Sequence, residues 1–211
     1  MASVKLTRRQ WRIYLTVWLV ALAAVTGALV GVVVPRLLAK PPAAATLGGG
    51  VIINPTLPAP SFTLRDQAGA IVSMSTFRGS VVALTFLDTQ CLNLCPLQAS
   101  LLGTVQSDLG SSAHFSVVVV SVRPEADTPA NIATFATAHG LKGGYSWLTG
   151  TRDQLASVWN SYGVGVQVAN GDLAHSSIIY LIDRNGAERM AFADVPDVAA
   201  VEGDVRFLES R

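Results

Sequence analysis

Apolar positions along this chain fall into three rhythms, and each predicts a different element. Residues 13–34 carry no charged side chain, and two threonines are the main polar interruptions. Wound as a helix, this run is about 33 Å long, enough to cross the hydrocarbon core of a bilayer. After residue 61 the rhythm shortens. Residues 62–64 and 71–73 flank the turn Asp66-Gln67-Ala68-Gly69 and predict two short strands. Residues 81–87 and 115–122 are continuous apolar runs of strand length, which predicts strands buried on both faces.

Between and after these runs the period becomes helical. Leu97, Leu101, Leu102, Val105 and Leu109 predict a helix over residues 96–109. Thr128 before Pro129 places a capping hydroxyl ahead of a proline at the first helical position, predicting a helix to about residue 139. Thr151 and Gln154 fit a capping box that opens a helix ending near residues 162–163. Residues 147–149 and 164–168 read as short extended pieces. Residues 176–182 read as a strand, Asp183-Arg184-Asn185-Gly186 as a hairpin turn into a strand over 187–192, and residues 196–208 as a closing helix. Strands alternating with helices, then a hairpin and a helix, predict an α/β fold: a mixed central sheet flanked by helices.

Charge orients the long apolar run. Lys5, Arg8, Arg9 and Arg12 precede it, Arg36 and Lys40 follow it, and Trp11, Tyr14 and Trp18 sit at its N-terminal end. The expectation is a single-pass anchor over residues 13–34, with residues 1–12 cytoplasmic and everything beyond Pro35 on the outer side of the cell membrane. A cleaved signal peptide is the alternative. Its apolar core is usually about 7–15 residues, shorter than this run, although Ala43-Ala44-Ala45 offers a peptidase site. The Arg8-Arg9 pair bears only on the export route. Residues 35–60 hold six of the ten prolines, and residues 48–50 are all glycine. Residues 35–58 therefore read as a semi-extended tether, and residues 59–211 as the folded domain. The net charge of +1 hides a split: from residue 61 onward there are nine basic and fourteen acidic residues. No basic stripe is present there, which argues against nucleic-acid binding.

Candidate chemistry centres on Cys91 and Cys95, the only two cysteines. A structural disulfide is the ordinary fate of two cysteines in an exported domain. A bridge enclosing three residues, however, removes little chain entropy. The pair stands where a strand passes into a helix, and positions i and i+4 of a helix share a face about 5–6 Å apart. A helix N-terminus lowers thiol pKa, and thiolate is the form that exchanges disulfides and the form that grips soft metals. The residues alone leave both chemistries open.

Several ordered motifs carry a resemblance to a known family. Residues 59–66 with Phe77-Arg78-Gly79 resemble the opening of thioredoxin-like redoxin domains. Residues 89–96 (Thr-Gln-Cys-Leu-Asn-Leu-Cys-Pro) resemble the Cys-x-x-x-Cys-Pro signature of the Sco/SenC family. Residues 121–129, Leu148-Thr149-Gly150, Tyr162-Gly163-Val164 and His175-Ser176-Ser177 before residues 178–183 are similar to its later segments. The resemblance runs from about residue 59 to the C-terminus, and the anchor fits it. It implies a thioredoxin-like fold behind one transmembrane helix. It also implies a copper-binding protein, holding Cu(I) and also Cu(II), that delivers or inserts copper during cytochrome c oxidase assembly. Cys91, Cys95 and His175 would be the ligands. The partners would be the copper-site subunit of the oxidase or another copper carrier, together with the membrane. Two thiolates and an imidazole form a soft set suited to Cu(I), whereas zinc usually takes a fourth ligand.

Four positions depart from the family pattern. Leu92-Asn93 replaces Pro-Asp after the first cysteine, Arg123 stands where an acidic residue is usual, and Ala174 stands where Asp often precedes the histidine. Each makes the site less negative, and Arg123 near the cysteines would depress thiol pKa and suit redox chemistry. The alternative function is therefore an extracytoplasmic thiol–disulfide oxidoreductase, with Cys91 and Cys95 as the catalytic pair acting on cysteines of a copper protein or another exported target. Peroxide reduction ranks third. His114 reads as a residue ahead of a strand and His139 as a helix-end residue, Trp147, Trp159 and Tyr162 as core or interface residues, and Asp172 as a solvated loop carboxylate or a partner that orients His175.

Overall fold

The computed structural model describes residues 8, 11, 14, 15, 17–22, 49–169 and 172–211. The chain divides into two compact units, Met1–Ala45 and Thr46–Arg211. In the first unit the described residues are helical and exposed. Among the described residues no helix is long and apolar enough to cross a membrane. Most of the anchor expected over 13–34 lies outside the described residues, as does most of the tether expected over 35–58.

The second unit holds a six-stranded mixed sheet in the order β1-β10-β9-β4-β5-β6. Its centre is β4 (Val81–Leu87) and β5 (Phe115–Ser121), parallel and in register from Val81↔Phe115 to Leu87↔Ser121. β6 (Tyr145–Leu148) extends the parallel half. On the other side β9 (Ile178–Ile182) runs antiparallel to β4 and pairs with β10 (Ala187–Ala193). Every side chain of β4 is buried, because helices or strands cover both faces of the sheet. Val81, Ala83 and Leu87 point into one apolar layer with α1 (Leu94–Leu109), α2 (Pro129–Ala138) and α4 (Val198–Glu209). Val82, Leu84 and Phe86 point into the other, with α3 (Arg152–Ser161) and the two-stranded sheet of β2 (Thr63–Arg65) and β3 (Ile71–Ser73). Burying each large side chain of these layers contributes about 1.5–3 kcal/mol, and that alternation explains why the strand reads as one unbroken apolar run. The mixed-sheet α/β architecture expected from the sequence is therefore present.

Both predicted caps form. The Thr128 hydroxyl accepts from the Asn131 N–H, with Pro129 opening α2, and Thr151 and Gln154 make the reciprocal capping box of α3. Trp147, Trp159 and Tyr162 are buried. His139 closes α2 and stacks 4.5 Å from the Phe135 ring, while His114 is exposed.

Three local expectations change. The end of the expected tether is a strand: β1 (Val51–Pro58) pairs with β10 at the sheet edge, with its register broken between Ile52 and Leu57. An edge strand tolerates Pro55 and Pro58 because proline has no N–H to give to a second neighbour. Leu97, expected on the buried face of its helix, is 55% exposed, and Gln98 takes that face instead. Ser176 and Ser177, expected inside a strand, form the joint between β8 (Asp172–His175) and β9. There the chain leaves a small separate hairpin, β7 (Val166–Ala169) with β8, and enters the central sheet.

Candidate metal centre

The site lies where β4 and β5 end, beside the turn into α1. β4 stops at Leu87, and Asp88 to Asn93 form an irregular turn before the helix begins at Leu94. Cys91 therefore stands outside the helix, not one turn earlier on its face, and Cys95 sits in its first turn. Pro96 follows within that turn, where a missing N–H costs nothing because the first helical N–H groups have no intrahelical partner. Cys95 is 1% exposed, Cys91 is half-buried, and both are free thiols.

His175 arrives from the opposite side. It ends β8, where two hydrogen bonds clamp the base of the hairpin: Ser176 N–H donates to Gly165 O, and Gly165 N–H donates to Ser176 Oγ at 3.1 Å. The His175 Nδ1 lies 3.0 Å from Ser176 O, and Nε2 lies 3.6 Å from Cys95 Sγ. A carbonyl only accepts, so Nδ1 carries the proton and Nε2 turns its lone pair toward the sulfur. Two ligands sharing one first-row metal ion, at about 2.3 Å to sulfur and about 2.0–2.1 Å to nitrogen with tetrahedral to trigonal angles, stand about 3.6–3.8 Å apart. Cys95 and His175 already have that separation.

Cys91 is near enough to Cys95 to act on it. Burial pushes the Cys95 thiol well above its ordinary value, and the hydrogen bond and charge of Cys91 push the same way. The helix N-terminus was expected to lower this thiol's pKa; desolvation outweighs it. A thiol held protonated by lack of solvent gives up its proton when a cation replaces the lost hydration. Among the described residues, no group of three Cys, His, Asp or Glu side chains is already gathered around one metal position. The structure thus brings Cys95 and His175 together directly and leaves Cys91 beside them as the accessible sulfur. The Asp172 side chain lies outside the described ones.

Beneath the cysteine turn lies a buried polar layer. Asp88, 1% exposed, accepts from Arg123 Nε at 2.9 Å and from Gln90 N–H at 2.6 Å. A backbone hydrogen bond at Asp88 lowers the Cys95 pKa and the Asp88 charge raises it, both lesser than burial, and Arg123 pairs with that carboxylate beneath the turn. Asp127, 3% exposed, accepts from Thr89 N–H at 2.9 Å and from the Ser121 hydroxyl, tying the far strand end to the turn. Gln98, fully buried, donates from Nε2 to Ser177 Oγ at 2.9 Å and to Asp194 O at 2.5 Å. Sequence reasoning missed Asp88, Asp127 and Gln98 as site residues. The signal for Gln98 was its place three residues after Cys95 and four before Leu102, a polar residue on the buried helical stripe.

Comparison with known proteins places the fold that carries this site among relatives of one family. The SCO1/SenC family model matches residues 53–207. A Rickettsia felis protein named SCO2-like is 29% identical over 133 residues, 59% of this chain and 64% of that protein. A Bacillus subtilis SCO1 protein homolog is 26% identical over 148 residues, 64% of this chain and 77% of its own length. The chain thus spans just under two thirds of the first of these relatives. Among solved structures, Bradyrhizobium japonicum ScoI with copper bound superposes with a TM-score of 0.64 at 26% identity, covering 71% of this chain and 98% of that one.

Proposed function

The chain belongs to the SCO1/SenC family, and from that premise we propose that it binds copper through Cys91, Cys95 and His175 and passes it to a partner during cytochrome c oxidase assembly. The observation that carries the reading is the 3.6 Å approach of His175 Nε2 to Cys95 Sγ across 80 positions of sequence. Two sulfurs and one imidazole nitrogen are a soft, low-coordinate set that suits Cu(I) over harder ions, and the copper-bound B. japonicum relative supports it. The half-buried Cys91 would be the first sulfur a partner's thiol can reach, so copper would leave by ligand exchange from that side. Residues 13–34 would anchor the protein in the cell membrane with residues 1–12 cytoplasmic and the folded unit outside, facing the copper-site subunit of the oxidase or another copper carrier. A reporter fused at the C-terminus, active only on the outer side, tests that topology.

The test of the site is a Cu(I) titration of the reduced protein against a chromophoric chelator. One copper per chain is expected, and Cys91→Ala, Cys95→Ala and His175→Ala should each weaken it by more than the roughly 10–100-fold typical of residues that only support a ligand. Unchanged affinity removes the substituted residue from the site.

A second reading rests on the two free thiols and their unequal access. In thiol–disulfide exchange the accessible Cys91 thiolate attacks a target disulfide, forms a mixed disulfide and releases one target thiol. Cys95 then displaces the other, leaving a Cys91–Cys95 disulfide and two electrons on the target. Trapping with Cys95→Ser distinguishes the readings: failure to capture any mixed disulfide sinks this one.

A further inference from the structure

Gln98 joins the two halves of the site, and nothing in its sequence environment explains why a carboxamide should be fully buried there. It lies one helical turn beyond Cys95, on the same face of α1. Its amide orientation is fixed by its partners. Asp194 O only accepts, so Nε2 faces it and also donates to Ser177 Oγ, two residues after His175. Oε1 then faces the Thr85 hydroxyl at 3.0 Å, and that hydroxyl is 2.9 Å from Ile178 O. The Asp194 N–H closes the figure by donating to Ser177 O at 3.2 Å. One side chain of the cysteine helix is thus tied to β4, to the segment leaving His175 and to Asp194, the residue just after β10.

We infer that Gln98 is a positioning residue that holds the His175 segment against the cysteine helix, so that the imidazole Nε2 meets Cys95. The inference rests on the copper-site reading above. The physical argument is that the hairpin bearing His175 pairs with no strand of the main sheet. Val166 and Leu173 pack its body against the core, and the aim of its last residue is then set by the joint that follows. At that joint Ser176 is held by Gly165, within the hairpin's own neighbourhood, and Ser177 is held by Gln98. Only the second tie leads back to Cys95. A buried amide that makes three or more hydrogen bonds loses them together when replaced by an apolar side chain, and the partners are left unsatisfied.

The test is a double-mutant cycle on the full-length chain, read by Cu(I) affinity against a chromophoric chelator, with hydrogen exchange of the metal-free protein as the second measurement. Gln98→Leu is expected to weaken Cu(I) binding by about 10–100-fold, the range for residues that orient a ligand. In a His175→Ala background the same substitution should change affinity less than about twofold, because its effect passes through the imidazole. In the metal-free protein, exchange at the Asp194 amide should accelerate while the β4 and β5 amides stay protected. Equal weakening in both backgrounds, or wild-type affinity in Gln98→Leu while His175→Ala is weak, overturns the positioning role and leaves the copper reading standing. Wild-type affinity in His175→Ala overturns the copper reading and this inference with it. Should Gln98→Leu not fold, Ser177→Ala removes the hydroxyl end of the tie alone, and the same dependence on His175 decides the matter.

Discussion

Cys95 and His175 face each other from two differently built regions. Cys95 sits in the first turn of α1 within the apolar layer on β4, the central strand with every side chain buried, and its own exposure is 1%. His175 ends a two-stranded hairpin outside the main sheet, where Val168 is 56% exposed and the neighbouring backbone is tied down at the serine joint. The cysteine side inherits its position from the core. The histidine side has its position set by a handful of hydrogen bonds and by the partly buried Val166 and Leu173 packed against the core. The difference teaches that a ligand set can be assembled from one half whose geometry is bound up with global stability and another whose geometry can change at small cost to folding. The following substitutions probe that division, beginning with the greatest expected loss.

The Arg123–Asp88 pair should show the strongest coupling of the cysteine side to folding. Arg123→Ala leaves the Asp88 carboxylate buried and unpaired, and breaking such a pair costs about 3–5 kcal/mol when fully buried. The Arg123 side chain is 20% exposed, so about 3 kcal/mol is expected, read from the denaturant midpoint at unchanged m-value. The uncompensated charge should also push the Cys95 thiol further up, slowing alkylation of Cys95 in the native protein. A stability loss below about 1 kcal/mol would mean that solvent already screens Asp88, and the contrast between the regions would be weaker than drawn.

Thr85→Val comes next. The replacement keeps the shape but removes the hydroxyl that faces Gln98 Oε1 and Ile178 O. Leaving a buried acceptor without its donor costs about 1–3 kcal/mol. Because the hydroxyl stands at the root of the tie that runs to Ser177, the loss should be accompanied by faster hydrogen exchange at the Ser176–Ile178 joint. A loss of stability with no change in exchange there would separate the joint from the core.

These residues also mark how far the sequence could be read. The central strands and the caps of α2 and α3 follow from apolar period and turn chemistry, because each depends on neighbours within one or two turns. Cys91, Cys95 and His175, by contrast, are grouped only by resemblance to a family's motifs. Gln98, Asp88 and Asp127 each have a partner 35 to 96 positions away, which local pattern does not identify, although a polar residue on the buried helical stripe marks Gln98 itself. β1 escaped for a related reason. Its prolines read as tether, and only the edge of a sheet built from residues 187–193 makes room for them. The Cys95 pKa moved opposite to the helix-terminus argument because burial, a tertiary quantity, was the larger effect.

Asp127 gives a pH-dependent version of the comparison. Burial raises its pKa above the ordinary 3.8, against the hydrogen bonds from Ser121 and Thr89 that lower it. A carboxyl whose folded value is raised adds stability that is fully present below the unfolded value and is lost as pH climbs through the folded one. Stability should therefore contain a component that falls as pH rises above about 4. Asp127→Asn should flatten that fall, read from chemical denaturation at a series of pH values between 4 and 7. A slope unchanged by the substitution would assign the pH dependence to other carboxyls, with Glu188, also raised by burial, the next to substitute.

The smallest effect is expected at Leu92, which is 91% exposed between the two cysteines. A side chain that keeps its solvent on folding has no transfer free energy to lose, so Leu92→Ser should change stability by less than about 0.5 kcal/mol. The cysteine turn would then contain both extremes within four residues: Cys95, bound into the core, and Leu92, outside it. A larger loss would show that Leu92 is covered in the full chain, which would bring Cys91 under cover with it. Accessible Cys91 is what both copper transfer and disulfide exchange require, so the alkylation rate of Cys91 measured alongside stability decides whether the open edge of the site is open in solution.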